Sequence, residues 1–170
     1  MNDLVIRQAT PADAEAMHAL IQAHLDEGHL LPRPIDDLRG HAARFTVCEI
    51  GDRVMACGEL APLSPSVAEV RSLVVARDTR RAGLAGKVVA EIRRRAAAAG
   101  YQSLCAFTHD PRFFVRQDFS IVPHVWLPEK ISTDCLACPL FRRCQQYAML
   151  LPLDHLPRYG AADRTVAAVA

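Results

Sequence analysis

Apolar residues along this chain switch between alternate spacing and a spacing of three to four, and the switches mark out a series of strands and helices. Leu4-Val5-Ile6-Arg7 opens as a short strand. Thr10 offers an N-cap hydroxyl, Pro11 suits the first helical position, and Asp13 stands where a capping box places its acid. Met17, Leu20, Ile21 and Leu25 recur at helical spacing, so a helix is predicted to run until Gly28 stops it. Pro32 and Pro34 make 28–34 a loop, and a second helix is predicted through Leu38 and Ala42. The segments 45–50 and 54–60 flank the turn Gly51-Asp52-Arg53 and read as a hairpin, with 67–75 a further strand. Val88, Val89, Ile92, Ala96 and Ala99 give a long helix one apolar side; Arg93, Arg94 and Arg95 point mostly toward solvent and Gly100 ends it. A strand at 103–108, a short helix at 112–117 and strands at 119–122 and 146–151 complete a mixed α+β sheet. One domain, 1–153, is expected, followed by a weakly patterned tail, 154–170, expected to be loosely ordered.

Composition narrows the function classes. With 170 residues, 51% of them hydrophobic, the chain can bury a sizeable core, which excludes a disordered protein. Twenty basic residues against 19 acidic ones leave a net charge of +1, so no global field favours nucleic acid or an anionic membrane, and any anion site must be local. Met1-Asn2-Asp3-Leu4 is not a basic n-region before an apolar stretch, and no apolar run is long enough to span a bilayer, so a cytoplasmic protein is expected.

The local anion site is legible at the end of the strand Ala68-Glu69-Val70-Arg71-Ser72-Leu73-Val74-Val75. That strand runs into Ala76-Arg77-Asp78-Thr79-Arg80-Arg81-Ala82-Gly83-Leu84-Ala85-Gly86 and then a helix, whose first N–H groups lack intrahelical acceptors. Gly83, Ala85 and Gly86 keep side chains small where a phosphate must approach, and Arg80 and Arg81 add charge-assisted contacts. The alternative is an ordinary strand-to-helix turn carrying solvated arginines. The arrangement Arg80-x-x-Gly83-x-Ala85 after such a strand resembles the acetyl-CoA pyrophosphate loop of the GNAT acetyltransferases.

Further segments resemble more narrowly the acetyltransferase domain of N-acetylglutamate synthases: Ile6-Arg7-Gln8-Ala9, Gly28-His29-Leu30-Leu31-Pro32-Arg33, Ala68-Glu69-Val70-Arg71-Ser72-Leu73 and Phe113-Phe114-Val115-Arg116-Gln117-Asp118-Phe119. Leu127-Pro128-Glu129-Lys130 and Asp134-Cys135-Leu136-Ala137-Cys138-Pro139 resemble a segment of one branch of that family. The resemblance covers about residues 4–153. It implies a GNAT-like α+β fold with a mixed, mostly antiparallel central sheet flanked by helices. It also implies acetyl-CoA as co-substrate, L-glutamate as amino-acid acceptor and the first step of arginine biosynthesis as setting. Cofactor contacts are then expected at Leu73, Val74, Val75, Arg80, Arg81, Ala82, Gly83, Leu84, Ala85, Gly86 and Lys87. Two departures stand out: Asp118 replaces the usual glycine, and Phe114 sits near where many GNAT enzymes place a thiolate-protonating tyrosine. Many synthases carry an arginine-binding kinase-like domain that this sequence does not show, so regulation through such a domain is not expected.

Candidate roles follow from the chemistry. An attacking amine must lose its proton, and Glu69 is the candidate base; strict alternation would put Glu69, Arg71 and Leu73 on one face, with a plain Glu69–Arg71 salt bridge as the alternative. A glutamate acceptor needs cationic anchors for two carboxylates, for which Arg33, Arg71 and Arg143 are candidates, with Arg142 as the neighbour of the last. The resemblance places Thr108 near the reacting thioester, where a helix-capping role competes. Cys135-x-x-Cys138 and Cys144 offer three thiols that His109 or His124 would complete as a zinc site; reduced structural cysteines are the preferred reading and no metal is expected in catalysis. Cys48, Cys57 and Cys105 read as small core residues. A different small amine as acceptor, a non-catalytic CoA-binding sensor, a metal-linked interaction module and a homo-oligomer remain open at this level.

Overall fold

In the computed structural model, which describes residues 3–153, the strands are β1 (Leu4–Gln8), β2 (Phe45–Ile50), β3 (Arg53–Pro62), β4 (Val67–Val75), β5 (Ser103–Thr108), β6 (Ser120–Val122) and β7 (Tyr147–Pro152). The expected tail, 154–170, lies outside the described residues. The seven strands form one sheet in the order β1-β2-β3-β4-β5-β7-β6, antiparallel throughout except where β4 runs parallel to β5. Helices α1 (Ala14–Gln22) and α2 (Ile35–Gly40) cover one face, and α3 (Leu84–Ala98) crosses between β4 and β5 over the other. The expected mixed, mostly antiparallel α+β sheet is therefore present. Among the described residues no helix is long and apolar enough to cross a membrane.

Two apolar layers hold the sheet. Phe45 and Val47 pack with Met17, Ile21 and Leu38 on the α1 side, while Cys48, one residue out of phase, joins Val88, Val89, Ile92 and Ala96 of α3. Each fully buried side chain of this size contributes about 1.5–3 kcal/mol. Gly58 of β3 lets α3 come close, because a Cβ there would stand 3.0 Å from Val88 Cγ1 and 3.1 Å from Ile92 Cδ1.

The periodicity overran several ends. The first helix stops at Gln22 rather than at Gly28: buried His24 turns its ring back, Nδ1 donating to the Leu20 carbonyl at 2.7 Å, and 25–27 becomes a separate 3-10 turn. The second stops at Gly40, and Ala42–Arg44 is again a 3-10 turn. Ala99 is exposed, and Arg95 is half-buried; its guanidinium folds onto the Phe45 carbonyl at 3.0 Å and Thr46 Oγ1 at 2.9 Å. Asp118 adopts φ 68 where glycine was expected, a left-handed conformation that aspartate tolerates better than most residues.

β4 departs from strict alternation, and the departure sets up the cleft described below. Cys57 pairs with Val74 but Glu59 pairs with Arg71, so Ser72 and Leu73 together oppose Gly58 in a bulge, with Ser72 at φ 49. Glu69 and Arg71 consequently share a face, whereas Leu73 turns toward α3 and packs in its layer. This corrects the three-residue face that simple alternation predicts.

Arg7 pins the N-terminal edge. It donates to Asp13 Oδ2 and Oδ1 at 2.8 Å each and also pairs with Glu49, while Asp13 Oδ2 accepts the Thr10 N–H at 2.7 Å. The bonds from Arg7 outweigh burial and lower the Asp13 carboxyl from 3.8 to about 2. A depressed carboxylate stabilises the fold fully above its unfolded value and loses that contribution as pH falls toward 2. Asp13→Asn is expected to cost at most about 2 kcal/mol at pH 7. Urea unfolding at pH 7 and near pH 3 should show the gap between wild type and variant shrinking with acid.

Candidate active site

β4 and β5 are hydrogen-bonded in register only from Val67 with Ser103 to Val70 with Ala106, yet β4 continues to Val75 and β5 to Thr108. The unpaired lengths line a cleft of about 1320 Å³. One wall is the 28–34 loop, the other the irregular segment between β6 and β7, and Arg80 stands at the lip.

Buried ion pairs line the cleft. Glu69 is 3% exposed; it accepts Arg71 Nε at 2.6 Å and Lys130 Nζ at 2.9 and 3.0 Å on its two oxygens. Lys130 ends the short helix Pro128–Lys130, which continues as a π-helical turn, Ile131–Cys135, and its ammonium lies 5.1 Å from the Phe107 ring centroid. Asp134 of that turn accepts Lys130 Nζ at 2.8 Å and also pairs with Arg71. Burial opposes the charge on Arg71, but Glu69, Asp134 and Glu59 outweigh it and hold the guanidinium firmly protonated.

Arg33 sits in a second network. It donates to Glu59 at 2.7 Å, to Ser72 Oγ at 3.0 Å, and through Nε and Nη2 to Asp37 Oδ2 at 3.1 and 2.8 Å. Four of its five N–H groups are thus engaged. A ligand carboxylate would meet the fifth, or take Asp37's place. Glu59, 2% exposed, stands directly across the strands from Arg71.

At the other end, the loop after β4 turns at Gly83, with φ 75, into α3. Lys87 is the first amide of the helix to find a backbone acceptor, Gly83 O at 3.2 Å; the N–H groups of Gly83, Leu84, Ala85 and Gly86 meet no acceptor among the described residues. A Cβ at Gly83 would touch nothing within 4 Å, whereas one at Gly86 would meet the Gln117 side chain at 3.4 Å. Free N–H donors at a helix N-terminus suit a phosphate. Arg80 is tied to both oxygens of Glu27 at 2.7 Å, while Arg81, at φ 76, is exposed.

A protein-family comparison matches residues 11–119 to the acetyltransferase (GNAT) family. The chain belongs to the GNAT acetyltransferases. It is 28% identical over 151 residues to an N-acetyltransferase of Chlorobaculum tepidum, covering 89% of this chain and 97% of that protein. It is 30% identical over 104 residues to the amino-acid acetyltransferase of Azotobacter vinelandii, covering 61% of this chain and only 24% of that longer protein. The fold superposes on the N-acetylglutamate synthase of Neisseria gonorrhoeae complexed with coenzyme A and N-acetyl-glutamate with a TM-score of 0.79 at 22% identity, over 90% of this chain and 36% of that one. A Mycobacterium tuberculosis protein solved with CoA gives a TM-score of 0.74 at 22% identity, over 87% of this chain and 98% of that one.

Within this GNAT domain, Arg33, Glu69, Arg71 and Thr108 all border the cleft, and so does Arg142 rather than its neighbour Arg143. The Thr108 hydroxyl closes a turn, donating to Asp110 O at 3.1 Å and accepting the Asp110 N–H at 3.2 Å. Phe114 is buried edge-on between Phe113 and Phe119. Cys135, Cys138 and Cys144 are free thiols; Cys144 Sγ lies 3.9 Å from His124 Nε2, but among the described residues no three His, Cys, Asp or Glu side chains gather to hold a metal ion. The sequence reading assigned no role to Glu59, Lys130 and Asp134. Glu59 had a signal, a lone charge inside an apolar strand, and Lys130 and Asp134 had another, their four-residue spacing.

Removing one partner of a buried pair leaves the other charge uncompensated. Glu59→Ala is expected to destabilise the fold by about 3 kcal/mol, and Asp37→Ala, at a half-exposed pair, by less than about 1 kcal/mol. Urea midpoints of the two variants measured side by side check the order.

Proposed function

We propose that the chain transfers the acetyl group of acetyl-CoA to the α-amino group of L-glutamate, by direct attack within a ternary complex. The observation that carries this reading is the buried Glu69 flanked by Arg71 and Lys130 at the point where β4 and β5 part. A proton acceptor and two cations stand together in the cleft, which is what an amino-acid acceptor needs. The amino-acid acetyltransferase among the relatives, and the coenzyme A and N-acetyl-glutamate of the gonococcal structure, support the same choice of co-substrate and acceptor.

In this reading the open amides of Gly83 to Gly86 hold the pyrophosphate of acetyl-CoA, with Arg80 turning from Glu27 to add charge. The unpaired edges of β4 and β5, from Leu73 to Val75 and at Phe107 and Thr108, offer backbone groups to the amides of its pantetheine arm. The acceptor's free amine attacks the thioester carbonyl carbon, the C–S bond breaks, the CoA thiolate leaves and Glu69 receives the amine proton. Arg71 and Lys130, with Arg33 through its remaining N–H, orient the acceptor's carboxylates. An acetyl-cysteine route is disfavoured at the buried thiols, because burial pushes Cys57 up to about 12 and raises Cys105 as well.

Steady-state assays over a panel of amino acids and simple amines test the acceptor. L-Glutamate is expected to give the highest kcat/KM; a preference for an uncharged amine over every amino acid would reject it. Glu69→Gln should lower kcat by about 10²–10⁴-fold with acetyl-CoA binding retained, and near-normal turnover in the folded variant would leave Glu69 a structural charge. Arg80→Ala combined with Gly83→Asp should weaken acetyl-CoA binding, through lost charge and like-charge exclusion at the helix terminus, as calorimetry would show.

A further inference from the structure

The inner cleft sets four carboxylates, Asp37, Glu59, Glu69 and Asp134, against three cations, Arg33, Arg71 and Lys130. Three of these carboxylates are carried by regular strands or by α2, and Glu59 and Glu69 are almost fully buried. Asp134 differs. It is carried by the π-helical turn, closed by the Leu136 N–H on Ile131 O at 3.1 Å, and like Asp37 it is 34% exposed, so it can turn out to solvent. Such turns are rare and recur where a side chain serves a site.

The geometry of its carboxylate is one-sided. Arg71 Nη2 and Lys130 Nζ both converge on Oδ2, while Oδ1 meets no donor among the described residues. Both cations are also held by Glu69, Arg71 through Nε and Lys130 through Nζ, so each keeps a carboxylate partner if Asp134 leaves. We propose that Asp134 is an internal stand-in for a substrate carboxylate: the Arg71–Lys130 pair is the subsite for one carboxylate of the acceptor, and the acceptor binds by displacing Asp134 into solvent.

The proposal rests on the amino-acid acceptor reading above and adds the device that selects for it. Replacing one carboxylate by another leaves the charge of the cleft unchanged, and the cations are already desolvated. A neutral acceptor, or the amide of an acidic one, cannot match the charge-assisted bonds that Asp134 makes and leaves it in place. Asp134 is therefore a specificity-determining residue that never touches the reacting atoms.

Glutarate is a suitable probe, because it has both carboxylates and no amine to acetylate. Titrated calorimetrically into the full chain in the presence of CoA, it is expected to bind roughly 10-fold more tightly to Asp134→Asn than to wild type. KM for L-glutamate should fall by a similar factor, with KM for acetyl-CoA within about twofold of wild type. A brace that merely held the cations would weaken glutarate when removed. Unchanged or weaker binding in the folded variant, or no glutarate binding to either protein, overturns the proposal. Should the variant not fold, a wild-type crystal soaked with glutarate decides: a ligand carboxylate between Arg71 and Lys130 with Asp134 turned out supports displacement, and any other arrangement overturns it. Tighter glutarate binding in Asp134→Asn without acetylation of any amino acid would reject the glutamate acceptor and keep the displaced carboxylate.

Discussion

Backbone pairing between β4 and β5 ends at Val70 and Ala106, and the two unpaired lengths beyond are the constraint around which this molecule is arranged. Buried strand edges must find hydrogen-bond partners, so a stretch of free edge inside a domain is tolerated only where it faces a cleft that solvent or a ligand can fill. The bulge at Ser72 works with the same opening. It twists β4 away from its neighbour, reverses the faces of the residues that follow, and brings the Ser72 hydroxyl onto Arg33. Apolar Leu73 is thereby returned to the α3 layer while charged Glu69 and Arg71 face the cleft.

Charge inside the cleft is closed on itself. Glu69 and Glu59 are nearly inaccessible, and each is matched by a cation that comes from another part of the chain: Lys130 from beyond β6, Arg33 from the loop before α2. In a low-dielectric setting such pairs add little net stability against an apolar replacement but are costly to break. Their presence makes sense as positioning. The cations are desolvated and aimed before any ligand arrives, which lowers the reorganisation that binding and reaction require. The loop before α3 follows the same logic by different means, since its free donors are amides fixed by the first turn of the helix and not mobile side chains.

Local sequence determined most of the elements and the turn into α3. The helical spacing of Val88, Val89, Ile92 and Ala96 and the turn at Gly83 depend on neighbours a few positions away, and both are found where the pattern puts them. Local rules failed where a side chain took a backbone carbonyl that the apolar pattern does not register. The helix after Thr10 stops short because the His24 ring takes the Leu20 carbonyl, and Arg95 folds its half-buried guanidinium onto the Phe45 carbonyl at the start of β2, some fifty residues away.

The charged end of the cleft was decided almost wholly by tertiary structure. The sequence marks Glu69, Arg71 and Arg33 as charges worth a role, but nothing in their spacing reveals that Lys130 lies on Glu69, that Asp134 bridges Lys130 and Arg71, or that Glu59 holds Arg33. A carboxylate's partner is chosen by distance in space and by the cost of leaving it bare when buried, and both quantities exist only once β4, β5 and the segment after β6 have come together.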